Sequence, residues 1–160
     1  VTRRAVVAER DRGVAVALGN EGPPCNNTLD PFTEMRQASL LGKVDARDPT
    51  RLPAGTVLEM ATENGARAAG FDRLGALREG HRADVIGLTT DITRATPLHD
   101  PLSHLVYAAH GDDVTFTMVD GEVRYADGEH VGTDAAAVRE RATRHAERVV
   151  EEAGIETARP

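Results

Sequence analysis

The run Val14-Ala15-Val16-Ala17-Leu18 is uniformly apolar and follows Gly13. Continuous apolar character over five residues predicts a strand buried on both faces. Such a strand needs parallel neighbours, and the rest of the chain shows no strand–helix–strand series to supply them. After a polar turn, Leu29, Phe32, Met35, Leu40 and Leu41 sketch the stripe of a helix over about residues 29–43. Asn27 or Thr28 is suited to cap it, and Pro31 suits its first turn. Residues 45–53 carry two prolines and alternating charge and read as a linker. A second helix is predicted over 54–64 with Val57, Leu58, Met60 and Ala61 inside, ended by Gly65. A short helical piece over 66–69 then stops at Gly70.

The pattern changes from helix to strand beyond Gly70. Residues 75–88 predict two turns around a short extended piece, followed by a strand. Residues 114–119 and 122–125 alternate and are joined by Asp120-Gly121, a strong signal for a two-residue hairpin. Residues 105–109 fit a strand or a short helix. From Asp134 the helical period returns, with Asp134 as cap, Val138, Ala142, Val149 and Val150 facing inward, and Gly154 at the end. At the extremes, residues 1–12 could close a helix and 155–160 read as a tail.

Composition narrows the picture. The 160 residues suffice for one ordinary domain, but a complete (β/α)8 barrel takes about 250. Hydrophobic residues make up 40% and aromatics 3%, so the core has to be built from Ala, Val, Leu and Ile. The net charge of −7 argues against a nucleic-acid partner, which requires clustered Lys and Arg. Lys43 is the only lysine, a balance compatible with a salt-adapted cytoplasm or with plain solubility. Cys25 is the only cysteine, so no intrachain disulfide forms. No run approaches the ~20 apolar residues of a membrane span, and the first 13 residues contain no apolar leader core. A cytoplasmic protein with no membrane partner is expected.

The candidate chemistry gathers in residues 19–27. A strand ending at Gly19 would put Glu21 at the carboxyl edge, where α/β proteins hold ligands and metals. Asn26 and Asn27 either shape a substrate loop or cap the following helix. Cys25 has no histidine near it in sequence, which favours an inert thiol over a nucleophile. Histidines stand at 81, 99, 104, 110, 130 and 145. No pair has the spacing of a local metal site, and none is assigned as a ligand. Asp84, before a strand, suits hydrogen bonding in a turn. The charges over 139–152 suit a solvated helix face with i,i+4 pairs.

Four stretches taken together resemble a known family. They are Val16 to Gly22 with Asn26-Asn27 and Glu34-Met35-Arg36; Met60-Ala61-Thr62-Glu63-Asn64-Gly65-Ala66-Arg67-Ala68; Gly75-x-Leu77-x-x-Gly80-x-x-Ala83-Asp84; and Asp100-Pro101 through His104 to Ala108, ending in Val119-Asp120-Gly121. In this order and spacing they resemble the C-terminal part of the metal-dependent amidohydrolases. The likeness is to the branch of S-adenosylhomocysteine/methylthioadenosine deaminases and triazine chlorohydrolases.

The resemblance implies an α/β fragment: the last strand and helix of a (β/α)8 barrel, the C-terminal part of a small β-sandwich, and a terminal helix. Residues 1–70 would close the barrel, 71–130 would belong to the sandwich, and 131–160 would form the last helix and tail. It also implies a divalent metal, usually zinc, whose bound water attacks a purine-like ring and releases ammonia or another group. Glu21 would be the metal-side or proton-transfer carboxylate, and Asn26 and Asn27 would shape the substrate loop. The chain departs from the family in two ways. It has no His-x-His pair, and the family's Gly-Thr-Asp-Gly reads Gly19-Asn20-Glu21-Gly22, one methylene longer at the carboxylate. Two readings follow. In one, the chain is a C–N hydrolase that needs a barrel half from a partner polypeptide, or a homo-oligomer. In the other, it is a non-catalytic module that binds a partner. The exposed apolar surface of an unpaired strand predicts self-association or partial order near the N-terminus.

Overall fold

The computed structural model describes residues 12–23 and 27–154. Helix α1 spans Pro31–Ala46, α2 Ala54–Ala61 and α3 Glu63–Ala68. Strand β1 (Val85–Leu88) follows, then α4 (Pro101–Tyr107). Strands β2 (Val114–Val119), β3 (Glu122–Ala126) and β4 (Glu129–His130) precede the long helix α5, Ala135–Ala153.

The core sits among α1, α2 and α4. Phe32 and Met35 of α1 meet Leu52, Val57 and Met60 around α2, and Val106 and Ala109 at α4. Val57, Met60 and Val106 are fully buried. A Cβ at Gly42 would lie 2.3 Å from the Leu52 Cδ1, so a side chain there would require Leu52 to shift from its present packing on α1.

The second helix is two helices. The chain bends at Thr62, whose hydroxyl donates to the Leu58 carbonyl at 2.7 Å. Gly75 packs against the bend. A Cβ there would come within 2.7 Å of the Glu63 backbone, and its φ of +88° independently requires glycine. Gly65 lies inside α3 rather than ending a helix. Helix α1 is capped two residues beyond Thr28, the later of the expected caps: Asp30, not Asn27 or Thr28, accepts from the Phe32 N–H at 3.0 Å. Pro31 takes the first helical position as predicted. The helix runs three residues past Lys43, to Ala46. Residues 101–107 settle the open alternative as a helix, capped by Asp100.

The four strands form one antiparallel sheet in the order β1-β2-β3-β4. Its hairpin turns at Asp120-Gly121, both with positive φ, as a type I′ turn requires. Asp127-Gly128 repeats that geometry before β4 and carries the same sequence signal. Asp84 accepts from the Asp120 N–H at 2.7 Å, fastening the hairpin tip to the segment before β1. This is the turn role expected of it. Leu88 and Val114 reach from the sheet to the helical core.

Two expectations need correction. Val14 to Leu18 joins no ladder with any described strand. The Leu18 N–H donates to the Met60 carbonyl at 2.9 Å, and Asn64 donates to the Val16 carbonyl at 3.0 Å. Val16 and Leu18 touch the core, while Val14 remains 48% exposed. The start of the run, Val14 and Ala15, is exposed, and its end, Val16 to Leu18, is half-buried. Helix α5, second, has its predicted ends at Asp134 and Gly154 but contains no buried residue. Val138 and Val149 point to solvent at 42% and 56% exposure.

Candidate functional site

The segment that should carry chemistry leads from the apolar run into α1. Asn20 donates from Nδ2 to the Glu34 Oε1 at 3.3 Å, tying the turn to the first coil of α1. The Asp30 Oδ2 accepts from the Thr33 hydroxyl at 3.0 Å, and the Asp30 N–H donates to the Thr28 hydroxyl at 3.1 Å. Arg36 fixes the other side of α1 by donating to the Ala109 carbonyl at 2.9 Å. These bonds hold the loop–helix junction where the end of the first stretch of the family likeness, Glu34-Met35-Arg36, lies.

Within that frame Glu21 is exposed. Asn27 is exposed with φ of +61°, its N–H donating to the Pro23 carbonyl at 2.6 Å, so its backbone forms a turn rather than a helix cap. Asn26 and Cys25 lie outside the described residues. Among the described residues, no three His, Cys, Asp or Glu side chains gather where they could hold a metal ion. The described residues therefore do not fit a zinc centre by themselves, because a catalytic zinc takes about three protein ligands.

A polar cluster that sequence reasoning missed lies in the core. Lys43 donates from Nζ to the Ser39 Oγ at 2.7 Å, to the Leu52 carbonyl at 2.9 Å and to the Tyr107 hydroxyl at 3.0 Å. Ser39 is fully buried and also donates to the Leu52 carbonyl at 2.8 Å. Its Oγ lies 2.7 Å from the Tyr107 hydroxyl. Burial opposes ionisation of Tyr107. The hydrogen bonds from Lys43 and Ser39 and the charge of Lys43 outweigh it, and the phenol sits below its ordinary pKa. The Lys43 ammonium also lies 5.5 Å from the Tyr107 ring centre. With its oxygen sealed in the core, Ser39 cannot reach a substrate, so the cluster joins α1, the 47–53 turn and α4. The signal was present: a serine and the sole lysine stand four residues apart on one helix.

Asp113 is a buried charge. It is 2% exposed, pairs with Arg94, and accepts from the His110 N–H at 2.9 Å. It knits the loop before β2 to the turn at residues 93–95.

With this arrangement in view, the chain belongs to the amidohydrolase family, whose model matches residues 2–124. Its likeness falls in the branch expected. It is 49% identical to the 5-methylthioadenosine/S-adenosylhomocysteine deaminase of Haloarcula marismortui over 144 residues, 90% of this chain and 33% of that protein. Among solved structures, a zinc-bound adenosine deaminase from Xanthomonas campestris superposes with a TM-score of 0.87 at 38% identity. That match covers 89% of this chain and 33% of the other. The zinc-bound atrazine chlorohydrolase of Arthrobacter aurescens TC1 follows at 0.74 and 26% identity, over 84% and 30% of the two chains. The chain thus spans about a third of the length of the relatives it matches. Among the described residues, no helix is long and apolar enough to cross a membrane.

Proposed function

We propose that these residues contribute the C-terminal share of a hydrolase acting on a non-peptide C–N bond, in the sense of deaminating an adenine-type ring. The observation that carries the reading is the junction of residues 19–36. It combines the family likeness with a turn pinned to α1 by Asn20 and Glu34, and it presents Glu21 to solvent. Residues 14–18 correspond to the last barrel strand and α1 to its helix, with 1–70 as barrel, 71–130 as sandwich share and 131–160 as terminal helix and tail. The unladdered backbone of residues 14–18 is then the edge with which a neighbouring barrel strand would pair.

Glu21 serves as the proton-handling carboxylate, and Asn26 and Asn27 border the substrate. No catalytic step is assigned through zinc, because the described residues cannot hold it. The metal-holding histidines belong to a segment corresponding to the other two thirds of the relatives. The competing reading, a module that binds a partner without chemistry, shares the same fold and differs only in outcome.

Complementation separates the two. The chain is mixed with the remaining two thirds of the Haloarcula deaminase as a separate polypeptide, with zinc, and ammonia release from 5-methylthioadenosine is followed. The catalytic reading expects no turnover by either piece and turnover by the pair, reduced by ~100-fold or more in Glu21→Gln. A stable complex without turnover supports the binding module. Turnover by this chain alone overturns both.

A further inference from the structure

The run at residues 14–18 is held by the break between α2 and α3. Helix α2 ends at Ala61, and the last carbonyls of a helix have no partner inside it. The bend at Thr62 supplies partners from outside the regular ladder. The Leu58 carbonyl accepts from the Thr62 hydroxyl at 2.7 Å, and the Glu59 carbonyl accepts from the Thr62 N–H at 3.3 Å. The Met60 carbonyl accepts from the Leu18 N–H at 2.9 Å. A helix continuing straight through Thr62 would give that carbonyl to the N–H of residue 64 instead.

Asn64, in the first turn of α3, makes a second bond to the run. Its Nδ2 donates to the Val16 carbonyl at 3.0 Å, and its Oδ1 accepts from Arg67. A guanidinium only donates and a carbonyl only accepts, so these two neighbours fix which way the amide points. One donor and one acceptor thus grip the run at Val16 and Leu18, two residues apart, as a neighbouring strand would in a sheet. Only Gly19 separates Leu18 from Asn20, which is tied to Glu34 of α1, and Glu21 follows directly. The backbone that carries Glu21 is therefore set by α1 through Asn20 and by the α2–α3 bend through Val16 and Leu18.

We propose that Asn64 is a positioning residue: by gripping the Val16 carbonyl it fixes the run and, through it, the place of the Glu21 carboxylate. The inference rests on the proton-handling role given to Glu21 under the proposed function. Asn64 acts through the backbone and needs no contact with substrate. Misplacing a reacting group by about 1 Å costs on the order of 100-fold in rate, so an anchor three residues from the carboxylate bears on turnover.

The probe is Asn64→Asp. It keeps the shape of asparagine and an oxygen for Arg67, but sets a carboxylate oxygen against the Val16 carbonyl where a donor stood. Two readings on the full chain need no activity. Hydrogen exchange at the Leu18 amide should run ~10-fold or more faster in the variant, while the Ala66 amide, bonded to the Thr62 carbonyl, exchanges as before. The side-chain amide resonances of Asn20 should shift. The third reading uses the pair formed with the remaining two thirds of the Haloarcula deaminase, at saturating chain. There kcat should fall ~10-fold or more while KM stays within ~2-fold. In a Glu21→Gln background the same substitution should cost nothing further, because the group it places is gone; a general loosening of the fold would cost as much in either background. Unchanged exchange at Leu18, an unmoved Asn20 amide, or an equal loss in both backgrounds overturns the proposal. A natural pair without turnover removes the role of Glu21 alone, and the Leu18 exchange and the Asn20 resonances then decide whether Asn64 sets the turn.

Discussion

The Lys43 cluster and the Glu21 turn are both built on α1, and each centres on a charged side chain. Around Lys43 every partner is in place: Ser39 from the same helix, the Leu52 carbonyl from the next turn, and Tyr107 from 64 residues away. Around Glu21 the backbone is held through Asn20 and Glu34, but no group of metal-holding side chains forms among the described residues. The chain closes its own scaffold and leaves its chemistry open. Its two apolar segments repeat the contrast. Val57 of α2 is fully buried, whereas Val14 keeps nearly half its surface in solvent.

The sharpest way to break this comparison is to empty one side of it at a time. Met60→Ala should destabilise the chain by about 2–5 kcal/mol, since a fully buried side chain leaves a cavity. Val14→Ala, at the exposed start of the run, should stay within about 0.5 kcal/mol. Denaturant unfolding of both measures the difference. Equal effects would mean that the 14–18 run is covered in solution.

Lys43→Met ranks next. It keeps most of the stem but removes a donor to three acceptors, and should cost about 1–3 kcal/mol. Glu21→Gln, which touches no part of that cluster, should leave stability within about 0.5 kcal/mol. Comparing the two variants by thermal unfolding separates support from chemistry.

A smaller effect is spectroscopic. Tyr107 should ionise below the ordinary tyrosine value of 10.0. Because its folded pKa is depressed, its contribution to stability is present above that ordinary value and is lost as pH falls through the lowered one. Tyrosinate absorbance should show an early transition that disappears in Tyr107→Phe. A single transition at the ordinary value would dissolve the Lys43–Tyr107 link.

Much of the fold was legible where the signal is local. Asp120-Gly121 announces a turn that only positive φ residues make, and Asp134 and Gly154 mark the ends of α5. The break at Thr62 was not legible, because Gly75, thirteen residues on, presses against it. Of the Lys43 cluster only the spacing of Ser39 and Lys43 was legible, since Tyr107 arrives from a distant helix. The inward face assigned to α5 followed from its period, but period tells which residues share a face and not whether anything covers it. At the candidate site, the sequence indicated the turn, its carboxylate and the missing histidines. It did not indicate that Asn20 anchors the turn to Glu34, since that bond depends on how the loop folds back.

The central claim, which rests on the proposed function, is that the described residues give support and one carboxylate and do not hold a metal ion by themselves. Zinc content per chain tests it most directly, measured on monodisperse protein purified without chelators and dialysed against dilute zinc. The account predicts well under one zinc per chain, unchanged in Glu21→Gln. One tightly held zinc per chain would contradict it.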